Sequence, residues 1–200
     1  MKNRNICSIL LIMMFLTCTT ALSSEFNGAQ AKAANENGRR AAQQPTSSSY
    51  TDALATLSGL PKRWNQAAAP LVRDYLDPNV PADRWVKEAS PYIGELRAVH
   101  IEMHARTLAI REQETRKFFQ ELIANYRAKL DSLIILHNAV ARGDQEAEQQ
   151  AYQALSEASV EGQRLSQALI EKIRPNVNPD ALADELSKSS KEIGELMKPK

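Results

Sequence analysis

Residues 99 to 106 read VHIEMHAR, and His100, Met103 and His104 are the side chains of this chain best spaced for chemistry. On a helix all three fall within an arc about 100° wide. Imidazole nitrogens four residues apart can hold one metal ion, and a thioether beside them favours Cu(I). Against a metal site, two imidazoles and a thioether are few ligands. Glu102 points to the opposite face, and His100 also fills a core slot between Leu96 and Met103. Methionine at such a slot is commonly a gap filler. Packing is therefore the first reading, and a metal face of His100, Met103 and His104 is the alternative. As imidazoles titrate near neutrality, a pH-sensitive contact is a third possibility.

No other constellation stands out. Both cysteines, Cys7 and Cys18, lie in the first 22 residues. A chain cut after them has no disulfide, thiolate nucleophile or cysteine-based metal site. Paired Glu-x-x-His motifs, Gly-rich phosphate loops and Cys-x-x-Cys-His haem sites are missing from the sequence. The expectation is a protein that is not an enzyme and needs no cofactor. Lys plus Arg number 25 and Asp plus Glu 24, so no basic excess points to nucleic acid.

The beginning of the chain has the layout of a secretory signal peptide over residues 1–22. MKNRN is basic, ICSILLIMMFL is apolar and uncharged, and TCTTALSS offers small residues for cleavage. The protein is expected outside the cytoplasm, periplasmic or secreted. An uncleaved signal anchor, or a lipid on Cys18, would instead tether it to a membrane. Phe-Leu-Thr-Cys matches the lipidation pattern poorly. Residues 23–49 are small and polar with Phe26 as the one large apolar residue, which reads as disordered linker.

The positioning elements begin after Tyr50, and residues 50–200 read as one helical domain. Leu57, Leu60, Trp64, Ala68, Leu71 and Tyr75 recur at steps of three and four. Pro61 and Pro70 predict that this first helix is bent or broken, ending near Asp77-Pro78. Pro81 is expected to open a short turn of helix through Trp85. Ser90-Pro91 is expected to start a second long helix over residues 91–142, spanning about 78 Å if continuous. Gly143-Asp144 is a helix stop followed by a cap, so the Arg-Gly-Asp triplet is read as a turn. A third helix then covers residues 144–174. Asn178-Pro179 starts a last one to Leu196.

The fold class expected is all-α: an elongated helical bundle in which helices 91–142 and 144–174 form a long antiparallel coiled-coil hairpin on a multi-helix base. In the hairpin register Leu122 meets Leu165, Tyr126 lies over Gly162, Leu130 meets Ala158 and Leu133 meets Leu155. The charged run REQETRK, residues 111–117, is then a solvated stretch of helix and the joint between base and arm. Residues 93–110 carry two apolar stripes. One is Ile93, Leu96, His100, Met103, Thr107 and Ile110; the other is Gly94, Ala98, Ile101, Ala105 and Leu108. Two stripes imply two neighbours, so the first helix is expected on the second stripe and the last helix along residues 91–105. Such a protein is expected to bind a protein partner or to associate with itself through arm or base. A small-ligand pocket between base helices, near Trp64 and Trp85, is a further alternative.

Overall fold

The computed structural model describes residues 47–176 and 179–198. The signal segment, both cysteines and the linker up to residue 46 lie outside the described residues. The described chain forms helices and no strand: α1 (Ser47–Thr56), α2 (Leu60–Leu76), α3 (Ala82–Thr107), α4 (Gln113–Arg142), α5 (Gln145–Ile173), a single 3-10 turn (Arg174–Asn176) and α6 (Pro179–Leu196). The expected all-α bundle is thus the observed architecture. Helix begins at Ser47, three residues before the expected boundary.

The break in the first helix falls where its sequence permits it. Gly59 takes φ 81°, a left-handed conformation open to glycine, and Pro61 occupies the first turn of α2. Pro70 sits inside α2, which ends at Asp77. Pro91, expected to open a helix, instead lies within α3, which runs unbroken from Ala82. Both Pro91 and Lys87, whose carbonyl loses its helical donor there, are exposed. Water can take the place of the lost bond.

The single helix expected over 91–142 is two helices. Thr107 Oγ1 donates to the Met103 carbonyl at 2.9 Å, and the Ala109 and Ile110 amides tighten onto the carbonyls of Arg106 and Thr107. The chain turns over residues 108–112 with Ile110 buried. Glu112 then caps α4, its carboxylate accepting from the Glu114 amide at 2.9 Å and from the Thr115 amide. REQETRK is therefore the entrance to a helix, not the middle of one. The physical gain is burial: a straight 52-residue helix would leave the apolar face of residues 85–103 in water, and folding back packs it on α4.

Helices α2, α3, α4 and α5 run up, down, up and down. Trp85 Nε1 donates to the Leu71 carbonyl at 2.9 Å across α2 and α3. His137 lies 2.9 Å from the Val86 carbonyl across α3 and α4. Asn125 Nδ2 donates to the Ala158 carbonyl at 2.7 Å across α4 and α5, and the Tyr75 hydroxyl reaches Glu148 at 2.8 Å across α2 and α5. Between α4 and α5, Gly143 turns with φ 67° and the Asp144 side chain accepts from the Ala147 amide, as expected. Most of the stripes expected to face inward do so: Leu122, Tyr126, Leu130 and Leu133 are buried on α4, and Ala151, Leu155, Gly162, Leu165 and Leu169 on α5, while His137, Val140 and Ala158 of the same stripes are half-buried.

This pair is no projecting arm. The buried face of α4 is wider than one seam: Phe119 continues that line, and Ile123 and Leu136 flank it on either side, all buried. Trp64 of α2 packs edge-on against Tyr126 with ring centroids 4.8 Å apart. Tyr50 of α1 meets Phe118 at 5.7 Å, and Lys172 of α5 sits over the Tyr50 ring at 4.8 Å. The last helix does not follow residues 91–105. It lies by α2, where Lys62 pairs with Glu192 at 3.0 Å and Arg73 donates to the Leu196 carbonyl at 3.0 Å. Of its expected stripe, Leu196 is half-buried; the side chains of Leu182, Leu186, Ser189 and Ile193 lie outside those described.

Candidate functional site

Helix α3 carries the three residues singled out for chemistry and sends them to three environments. Met103 is 1% exposed and fills the core beside Leu96 and Val99. His104 is exposed, and His100 is half-buried. Their spacing on the helix is as expected, but the thioether is turned into the core while the His104 ring stands in solvent. No cluster of three or more His, Cys, Asp or Glu suited to a metal forms among the described residues. Burial lowers the His100 imidazole pKa, as do the Arg127 guanidinium and, to a smaller degree, His104; Asp131 opposes them. The third histidine, His137, is far nearer than a continuous helix would have put it. It lies against Val86 and its ring is 5.9 Å from that of Trp85.

Both tryptophans are buried against other rings. Trp64 is 2% exposed under Tyr126, and Trp85 is 3% exposed between Tyr75 and His137. An open groove lies elsewhere, between α4 and α5. Buried Asn125, Ser132 and Leu165 lie at its base, and Glu121, Glu157, Glu161 and Arg164 stand along it, Arg164 pairing with Glu161.

Sequence reasoning missed two features. Lys129 is buried in α4, its ammonium 5.4 Å from the Tyr126 ring centroid, and burial holds its pKa well below the usual lysine range. The signal was its place next to Leu130, on a helix that proved to be covered on several sides. The other is a charged cluster beside α3. Arg63 of α2 binds Glu95 at 2.8 Å and Glu102 at 2.7 Å, and Glu102 also holds Arg106. Hydrogen bonding to Arg63 draws the Glu102 carboxyl below its usual range.

That cluster marks the edge of α2, which is not over the second stripe. Gly94, Ala98 and Ala105 are exposed, with Ile101 at 68% and Leu108 at 55%. These residues point directly away from Leu96, Val99 and Met103. The first helix, expected to cover them, packs on the flank through Arg63 instead. Nothing lies within 4 Å of where a Gly94 side chain would begin. Helix α3 thus has one apolar face in the core and a second, five residues long, open to solvent. No family model, no curated protein and no solved structure matches this chain.

Proposed function

We propose that this chain is an exported, non-enzymatic helical protein that works by associating with protein. The observation that carries the reading is the open stripe of α3. Ile101 and Leu108 stand more than half exposed on one line with Gly94, Ala98 and Ala105. Isolated exposed apolar residues are ordinary, whereas a contiguous apolar line rimmed by charge marks an interaction surface. Its helical form suits a helix or a helical groove as the counterpart. Export rests on the basic start, the uncharged apolar run and the small residues that follow it.

The test is in-cell photo-crosslinking. A photoreactive amino acid replaces Ala105 in the chain expressed in its own host, and Gln153, an exposed residue of α5, serves as control. The expected result is a discrete protein-sized adduct from position 105 and none from 153. No adduct from 105, or equal adducts from both positions, would overturn the reading. Cell fractionation of the same strain places the adduct inside or outside the cytoplasm.

A further inference from the structure

We propose that the occupant of the α3 stripe is the α3 stripe of a second copy of this chain, the two helices lying parallel about a two-fold axis along their length. This rests on the association reading above and names its partner.

The first support is periodicity. Gly94, Ala98, Ile101, Ala105 and Leu108 are spaced 4, 3, 4 and 3, the repeat that lets two helices keep one seam in contact. Small residues alternate with the large Ile101 and Leu108, so two backbones can approach closely between them. The second support is charge, which also sets the direction. One flank of the stripe carries Arg97 and His104, both exposed; the other carries Glu95 and Glu102, paired within the same copy to Arg63 and Arg106. In a parallel pair about a two-fold axis, the Arg97 flank of each copy faces the Glu102 flank of the other. Arg97 then meets Glu102 five residues further along the partner, twice per dimer. In an antiparallel pair, each Arg97 flank faces the Arg97 flank of the other copy and has no carboxylate opposite it. Glu102 already holds Arg63 and Arg106, yet a carboxylate has about four acceptor sites, which leaves room for Arg97.

The seam from Pro91 to Leu108 is about 27 Å long. A single helix pair of that length buries less than the roughly 1,600 Å² of a standard stable interface. The dimer is therefore expected to be weak.

The experiment uses the mature chain purified from an exporting host, in sedimentation over a concentration series. Concentration-dependent dimerisation is expected. Ile101→Glu and Leu108→Glu should each weaken it by at least roughly 30-fold, with the melting temperature unchanged because both side chains are exposed. Arg97→Glu should weaken it roughly 10-fold, as should high salt in part. Direction is read with Gly94→Cys, which the free space at that position accepts. Oxidation should link the peptide of residues 88–97 to itself, and Ile101→Glu should abolish the link. In an antiparallel pair centred on Ile101 the two cysteines would be roughly 20 Å apart and could not join.

A chain monomeric at every concentration overturns the pairing. If position 105 still crosslinks to a different protein in the cell, the association reading survives; if it crosslinks to nothing, both fall. A dimer without the 94–94 link overturns the parallel arrangement. A dimer indifferent to Ile101→Glu but broken by Ala128→Trp would place the contact in the open groove of α4 and α5 and would also overturn it.

Discussion

Met103 and His104 are neighbours in sequence and separated in environment, and this decides what can be expected of metal. Zn(II), Ni(II), Cu(II) or Cu(I) should leave the melting temperature of the mature chain almost unchanged. A site held at 100 times its Kd would add about 2.7 kcal/mol, several degrees for a domain of this size. A rise of that size, lost in His104→Ala, would show that Met103 leaves the core to complete a metal face. Protons are a different matter. The His100 pKa is lowered, chiefly by burial and then by Arg127. Its imidazolium forms more readily in the unfolded chain, so acid favours unfolding. The contribution of His100 is intact above the ordinary imidazole pKa of about 6.5. It is lost as pH falls from there through the lower folded value. Melting temperature should therefore drop between pH 7.5 and 5.5, and His100→Gln should flatten that slope. An unchanged slope would assign the titration to another group. The residue types at this site were legible in the sequence, and so was the core slot of Met103. What was not legible is burial at His100 and Lys129, because burial depends on which helices return to cover α3 and α4.

Helix boundaries were legible wherever a residue's own backbone chemistry enforces them. Pro61, Gly143 with Asp144, and Pro179 mark ends that the structure places within a residue or two. The boundary at 108–112 has no glycine or proline and was missed for that reason. It is made by Thr107 bonding back to Met103, by the buried Ile110, and by Glu112 acting as a cap, a role more usual for Ser, Thr, Asp or Asn. The opposite error at Pro91 has a matching cause: an exposed helical proline costs less when water can serve the freed carbonyl. The cap yields a prediction at this scale. Glu112→Ala removes the acceptor for the Glu114 and Thr115 amides and should cost about 1 kcal/mol of stability. Glu112→Asp, which keeps a carboxylate at a preferred capping length, should retain most of it. Chemical denaturation measures both, and a neutral Glu112→Ala would mean that packing of Ile110 alone sets the turn. The two apolar stripes of α3 were read correctly as two faces. Only one found a neighbour within the chain, because α2 buries Leu60, Trp64, Ala68 and Leu71 in the common core and meets α3 on its flank, where Arg63 pairs with Glu95 and Glu102.

Across the whole molecule, most close packing joins helices adjacent in sequence: α2 with α3, α3 with α4, and α4 with α5. The exceptions are α6, which lies by α2, and α1, which crosses to α4 and α5, where Tyr50 is held by Phe118 and Lys172. Tyr50→Ala should cost about 3 kcal/mol, by loss of a buried ring and its two partners. Hydrogen exchange should show α1 amides losing protection first while those of α4 and α5 keep theirs; uniform loss would mean that α1 folds and opens with the rest. The same arrangement imposes an order in time during synthesis. Tyr50 leaves the ribosome early, and Lys172 follows about 120 residues later, roughly 10 s at ordinary elongation rates. Through that interval α2, α3 and α4 can zip together by local contacts while α1 has nothing complete to rest on. The N-terminal helix is thus made first and seated last, and a chain that stalls before Lys172 presents α1 as a handle for chaperones and proteases.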